Sequence, residues 1–147
     1  MHSLGLCLLP NTTTGATTDV GPQIGVAPFT AADLVVSLTA VTGAGSLRVF
    51  VQKGLLLVSA SDLAGGILDR GNTVIWDDYY ASTSLTAVGS DIASVVAFGS
   101  SNVHAPKDAT LTAASIQSGA PGSIWRVKYV VTGFTSASFS VSVQFYR

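Results

Sequence analysis

The chain has 147 residues and a formal net charge of −1, enough for one domain with a single sizeable core and without a bulk electrostatic pull toward nucleic acid. Only 10% of its residues are Asp, Glu, Lys or Arg, against roughly 25% in an ordinary soluble domain. Apolar residues reach 48%, yet the longest wholly aliphatic run, Leu55–Val58, is far short of the roughly 20 residues of a spanning helix, so no membrane span is expected.

Residues 1–32 differ from the rest. Leu4–Pro10 is followed by a Thr-rich stretch to Asp19 and then by Gly21-Pro22-Gln23-Ile24-Gly25-Val26-Ala27-Pro28. Pro10, Pro22 and Pro28 favour extended backbone and oppose helix. Two readings compete: a first strand and loop folded onto their own domain, or an extended arm that orders on a neighbour. Leu4, Leu6, Leu8, Leu9, Ile24 and Val26 favour the arm, because a purely disordered tail rarely carries such residues. Residues 33–147 then form the domain proper. The segment Leu4–Leu9 is too short for a secretory core and no Lys or Arg precedes it, so no export signal is expected.

From Asp33 onward short apolar runs alternate with turn signals. Asp33–Val41 reads as a strand ending at Thr42-Gly43-Ala44-Gly45. In Leu47–Lys53, Leu47, Val49 and Val51 face one way and Arg48 and Gln52 the other, with Phe50 out of pattern. Gly54 punctuates before Leu55–Ser59, and Leu63–Gly66 with Asp69–Asn72 reads as loop. Thr73–Tyr80, Ile92–Phe98 and Ala109–Ile116 read as strands, Gly99–Asp108 and Gln117–Gly122 as connections. Ile124–Thr132 and Ser138–Tyr146 flank Gly133–Ala137. In the last run Phe139, Val141, Val143 and Phe145 alternate with Ser138, Ser140, Ser142 and Gln144, the period of a sheet with one buried face. No capped helical period appears. The pattern predicts an all-β fold, an antiparallel β-sandwich or jelly roll with an extended N-terminal arm. An internal echo links Val41-Thr42-Gly43 with Val131-Thr132-Gly133. Each leads through a turn into a second strand, as two hairpins would, each belonging to one sheet.

Residues that carry chemistry are few. The lone Cys7 cannot close an internal disulfide and has no cationic neighbour in sequence to activate it. His2 and His104 have no Cys or His at ligand spacing, so neither metal nor cofactor is expected. Asp77-Asp78 is the one adjacent carboxylate pair, but neighbours on a flat strand point to opposite faces and cannot share a proton or an ion. No phosphate loop, dinucleotide fingerprint or nucleophile elbow is present. No catalytic residue is assigned and an enzyme is not expected. Trp76, Tyr79 and Tyr80 form an aromatic group around the aspartates. It suits core packing or a subunit interface, where Trp and Tyr concentrate binding energy. A carbohydrate platform is the alternative. Weak surface charge leaves copies little protection against association, so a homo-oligomer is expected, with Leu4, Leu6, Leu8, Leu9, Trp76, Tyr79 and Tyr80 as its candidate interface residues.

Ile124-Trp125-Arg126-Val127-Lys128-Tyr129-Val130-Val131-Thr132-Gly133 followed by Ser138-Phe139-Ser140-Val141-Ser142-Val143 resembles the closing hairpin of small virion proteins of tailed bacteriophages. Asp33–Gly43 with Leu47–Gln52 is similar to their opening hairpin. The resemblance covers residues 33–53 and 124–146. It implies a capsid decoration (cement) protein or another auxiliary structural protein of the virion, made in the host cytoplasm and carried on the capsid exterior. It also implies a homotrimer bound to the major capsid protein, with no nucleic-acid or membrane partner. A tail, neck or fibre component is the nearest alternative, and a carbohydrate-binding module lies further off.

Overall fold

Alternating apolar and hydroxyl residues in the last run leave one way to bury a face, and that run is the centre of the fold. The structure is a computed structural model that describes residues 3–57, 73–97, 99 and 101–147. The expected loops at Leu63–Gly66 and Asp69–Asn72, and the residues Ser59 and Phe98, lie outside these. The strands are β1 (Ser3–Thr14), β2 (Thr17–Val20), β3 (Ile24–Gly25), β4 (Ala31–Thr42), β5 (Ser46–Leu57), β6 (Thr73–Ala81), β7 (Gly89–Val96), β8 (Ser115–Ile116), β9 (Ile124–Thr132) and β10 (Ser136–Tyr146). Two antiparallel sheets result: β1-β10-β4-β7, called sheet A, and β2-β9-β5-β6-β8, called sheet B, with β3 also on β9. The fold is an all-β sandwich.

The core lies between the sheets. Phe139, Val141, Val143 and Phe145 are at most 3% exposed, and face Trp125, Val127, Tyr129 and Val131 of β9. Ser138 and Ser140 are half-buried and Ser142 is exposed, as the alternation requires. Phe29, Trp125, Phe145 and Tyr79 stack at one end, with ring centroids 4.9–5.8 Å apart.

The two echoing segments are not hairpins within a sheet. β4 pairs with β10 in sheet A, and β5 pairs with β9 in sheet B. Each segment is therefore an arch that gives one strand to each sheet, which corrects the expected arrangement. The arches nest: the Thr135 N–H donates to the Thr42 carbonyl at 2.9 Å. Gly43 and Gly133 both take left-handed backbone, with φ of +85° and +79°. A Cβ on Gly45 would collide with the Thr132 carbonyl and the Phe134 nitrogen, which fixes glycine at that crossing.

The N-terminal segment, expected as an arm, folds onto its own chain. β1 pairs with β10 from Ser3↔Tyr146 to Thr14↔Ala137. Leu8, Leu9, Val26 and Phe29 all belong to the core. Four buried side chains contribute about 1.5–3 kcal/mol each, a sum comparable to a whole domain's net stability, so this segment is part of the sandwich.

Three further differences have local causes. β5 runs through Gly54, where a Cβ would lie 3.2 Å from the Trp76 ring, so glycine makes room for that ring instead of ending the strand. Of the strand expected over Ala109–Ile116, only Ser115–Ile116 pairs, because Ala109 and Ala114 adopt φ of +57° and +56°. Phe50, out of pattern in the sequence, is buried with Ala81 and Leu111 under the long β7–β8 connection, on the far side of sheet B from the main core.

Candidate functional site

The chemistry-bearing side chains gather where the β7–β8 connection crosses β5 and β6. A bulge positions them. Val51 pairs with Tyr80 and Gln52 with Asp78, so Tyr79 is an extra residue in β6. The inserted residue breaks simple alternation, and Asp77, Asp78, Tyr79 and Tyr80 are all at most 2% exposed.

Both carboxylates are fully engaged. Asp77 Oδ1 accepts the Lys107 N–H at 2.9 Å; Oδ2 accepts Gln117 Nε2 at 2.9 Å and meets His104 Nε2 at 2.8 Å. Burial alone would raise the Asp77 pKa, but these hydrogen bonds and the nearby imidazole outweigh it and hold the carboxyl below its ordinary value. Asp78 Oδ1 accepts Gln52 Nε2 at 2.8 Å and the Ala109 N–H at 3.1 Å. Its Oδ2 accepts the N–H groups of Thr110 and Leu111 at 2.9 and 3.1 Å. The two carboxylates share no side-chain donor to their oxygens.

The surrounding cations serve this connection, its continuation from β8 to β9, or one another's partners on sheet B. Arg48 Nη2 donates to the Leu111 carbonyl and Lys53 Nζ to the Ala120 carbonyl, each at 2.8 Å. Trp125 Nε1 donates to the Pro121 carbonyl at 2.7 Å. Arg126 lies 4.3 Å over the Trp76 ring and donates Nε to Gln52 Oε1, while Lys128 pairs with Asp108 at 2.7 Å. Chemically, this arrangement fastens a long connection to a sheet. Among the described residues no group of three or more His, Cys, Asp or Glu is placed around a common point for a metal.

The sequence-predicted interface residues are scattered. Tyr79 stacks on Trp125 in the core at 5.6 Å. Tyr80 donates its hydroxyl to Asp91 Oδ2 at 2.8 Å inside the flank between the sheets, and burial together with that carboxylate pushes its pKa up strongly. Only Trp76 of the three rings is partly open, and it lies under Arg126. No shared aromatic platform exists among them. Leu8 and Leu9 are core residues, Leu6 is half-buried against the core, and Leu4 alone stays 52% exposed.

The surface that stands out is the outer face of sheet A, of which the sequence pattern marks only the β10 serines. Cys7, Ser142, Val35 and Ile92 form one row across its four strands. Gly5, Gln144, Asp33 and Ser94 form the next, and Ser140, Ser37 and Ser90 lie in another. Asp33 is the one charged side chain in these rows. Hydrogen bonds from Ser94 and Tyr146, at 2.6 and 2.8 Å, already hold it and lower its pKa. The signal was present in the sequence as Ser-x-Ser-x-Ser opposite a strand with few charges. No protein-family model, curated protein or solved structure matches the chain.

Proposed function

We propose that this chain is a structural subunit of a larger protein assembly, and specifically a virion protein that decorates a bacteriophage capsid and binds the major capsid protein and its own copies. One observation carries the assembly reading: a four-stranded face of hydroxyl and aliphatic side chains whose sole carboxylate is internally bonded. Such a face loses little solvation on contact, because it has almost no charge to desolvate. The chemical cluster supports the same reading from the other side, since its polar groups are spent on holding a connection. The virion assignment rests on the likeness of residues 33–53 and 124–146, the two nested arches, to the hairpins of phage virion proteins. The likeness also suggests a trimer.

Mass spectrometry and electron microscopy of purified particles test this. The chain is expected in many copies on the head surface. Its absence from particles, or a few copies at a tail or neck position, would refute the decoration reading. Binding to a glycan array that Trp76→Ala abolishes would favour the carbohydrate alternative instead.

A further inference from the structure

Among the described residues the two sheets have four lateral strand edges, and three are blunted. β1 carries two irregularities, between Cys7 and Leu9 and between Leu9 and Thr12, with Pro10 inside the second. The β9 edge is covered only by β2 and β3, four and two residues long, separated by Gly21-Pro22-Gln23. β8 is two residues long. Bulges, prolines, shortness and charges pointing inward from an edge are devices by which sheets avoid pairing with foreign strands. β7 has none of the first three, and its one inward charge, Asp91, is held by internal hydrogen bonds. It pairs with β4 over eight residues without a register shift and contains no proline, lysine or arginine. Among the described residues no strand pairs with its other side.

Its one charge is turned away from that edge. Asp91 accepts the Tyr80 hydroxyl at 2.8 Å and the Thr83 N–H at 3.0 Å. Outward on the strand stand Ser90, Ile92, Ser94 and Val96, with Ile92 66% and Val96 75% exposed. Backbone alternation gives the same residues the open hydrogen bonds. The Ala97 N–H donates to Thr30 on the β4 side, so odd-numbered residues face β4 and the N–H and C=O groups of residues 90, 92, 94 and 96 point away.

We propose that the free edge of β7 pairs antiparallel with β7 of a second copy, joining two A sheets into one of eight strands. This rests on the assembly reading above and not on the virion assignment. Self-pairing suits this strand because its outward side chains carry no charge to oppose a like charge. A two-fold through Ala93 sets Ile92 opposite Ser94 and Ser90 opposite Val96. A closed two-fold pair also consumes the exposed edge, so it does not run on into a fibre.

The test uses sedimentation velocity of the full chain from about 1 to 200 µM, a span that covers a small, weak interface, with amide exchange at both ends. A monomer–dimer equilibrium is expected, with exchange at Ser90, Ile92, Ser94 and Val96 slowing as dimer forms. Ile92→Lys and, separately, Val96→Lys should each weaken association at least tenfold while leaving the urea midpoint unchanged, since both side chains are exposed. Leu4→Lys, on the opposite edge of the sheet, should leave association unaltered. A monomer at every concentration would overturn the proposal. So would association that neither β7 variant weakens, including a trimer, or edge amides protected equally at all concentrations, which would mean the chain covers its own edge. Dimerisation through β7 by a chain absent from particles would sink the virion reading alone.

Discussion

Replacing Asp78 by alanine tests the claim that the buried aspartates are fasteners. The carboxylate receives the N–H groups of Ala109, Thr110 and Leu111 and the Gln52 amide, and is itself fully buried. Removing it leaves these donors facing a void. A buried donor without a partner costs about 1–3 kcal/mol, and a hydrogen bond to a charged group contributes about 1.5–3 kcal/mol. The connection can swing out to recover water, but it then uncovers Phe50 and Leu111, which pack together beneath it. The smaller of these losses sets the outcome, and Asp78→Ala should cost about 3–5 kcal/mol, a large share of the roughly 5–15 kcal/mol that holds a domain folded. Asp78→Asn keeps the size and one acceptor but turns an NH₂ toward backbone N–H groups, so it should lose nearly as much. Urea unfolding followed by tryptophan fluorescence gives the loss as a fall in midpoint at constant slope. Amide exchange at residues 109–111 should quicken more than exchange in β10. Asp108→Asn, at a side chain 60% exposed, should stay within about 1 kcal/mol of the parent. An Asp78→Ala midpoint within about 0.5 kcal/mol of the parent, below the cost of one lost hydrogen bond, would refute the fastener argument.

Val141→Asp puts a carboxylate at a position with no exposure in the middle of β10, and should cost several kcal/mol or abolish folding, read by the same urea titration. Asp77 has a folded-state pKa below the 3.8 of an unperturbed carboxyl. Its stabilisation is therefore complete above that unfolded value and is lost as pH falls through the folded one. Acidification across that window should release residues 104–107 first, seen as faster exchange of the Lys107 amide, and Asp77→Asn should remove the dependence. Deleting residues 1–32 takes Leu8, Leu9, Val26 and Phe29 from the core and strips β10 of one of its two partner strands. Circular dichroism should show an unfolded or grossly destabilised chain; a truncated chain that melts like the parent would show that the segment adds nothing to the fold.

Much of the sheet architecture was legible because strict alternation has one interpretation. β10 reads apolar-in and polar-out at every position from Ser138 to Phe145, and β9 and β5 are nearly as clear. The connection between strands was less legible. Val-Thr-Gly followed by a short turn describes a hairpin and an arch equally well, since both reverse the chain through a left-handed glycine. Only partner choice separates them, and β4 with β10 is a pairing across about a hundred residues that local pattern does not encode. The role of residues 3–14 was hidden for a similar reason: Pro10 and the Thr-rich run look like a segment that cannot form a strand, yet bulges at an edge absorb both. Of the two readings of the aromatic group, core packing holds for Tyr79 and Tyr80, because one extra residue at Tyr79 turns both rings inward, and a bulge of that kind leaves no mark in the sequence.

Low charge and the location of the clamp have one explanation. Solubility alone would spread so few ionisable residues over the surface. Instead Asp77, Asp78, Asp108, Arg48, Lys53, Arg126 and Lys128 are all engaged with the β7–β8 connection, its continuation toward β9, or one another on sheet B. Among the described residues of that connection Leu111 is the one large apolar side chain that is buried, and charge-assisted hydrogen bonds tie the rest to sheet B. The opposite face is left with serines, a bonded Asp33 and exposed aliphatics. Among the described residues polarity is thus divided between the sheets: the charges staple a connection to sheet B, and the outer face of sheet A carries few of them. A free monomer gains nothing from that division, because the uncharged face invites association. A subunit whose A sheet is covered gains from it twice, since the contact desolvates almost no charge and the internal staples stay out of the interface.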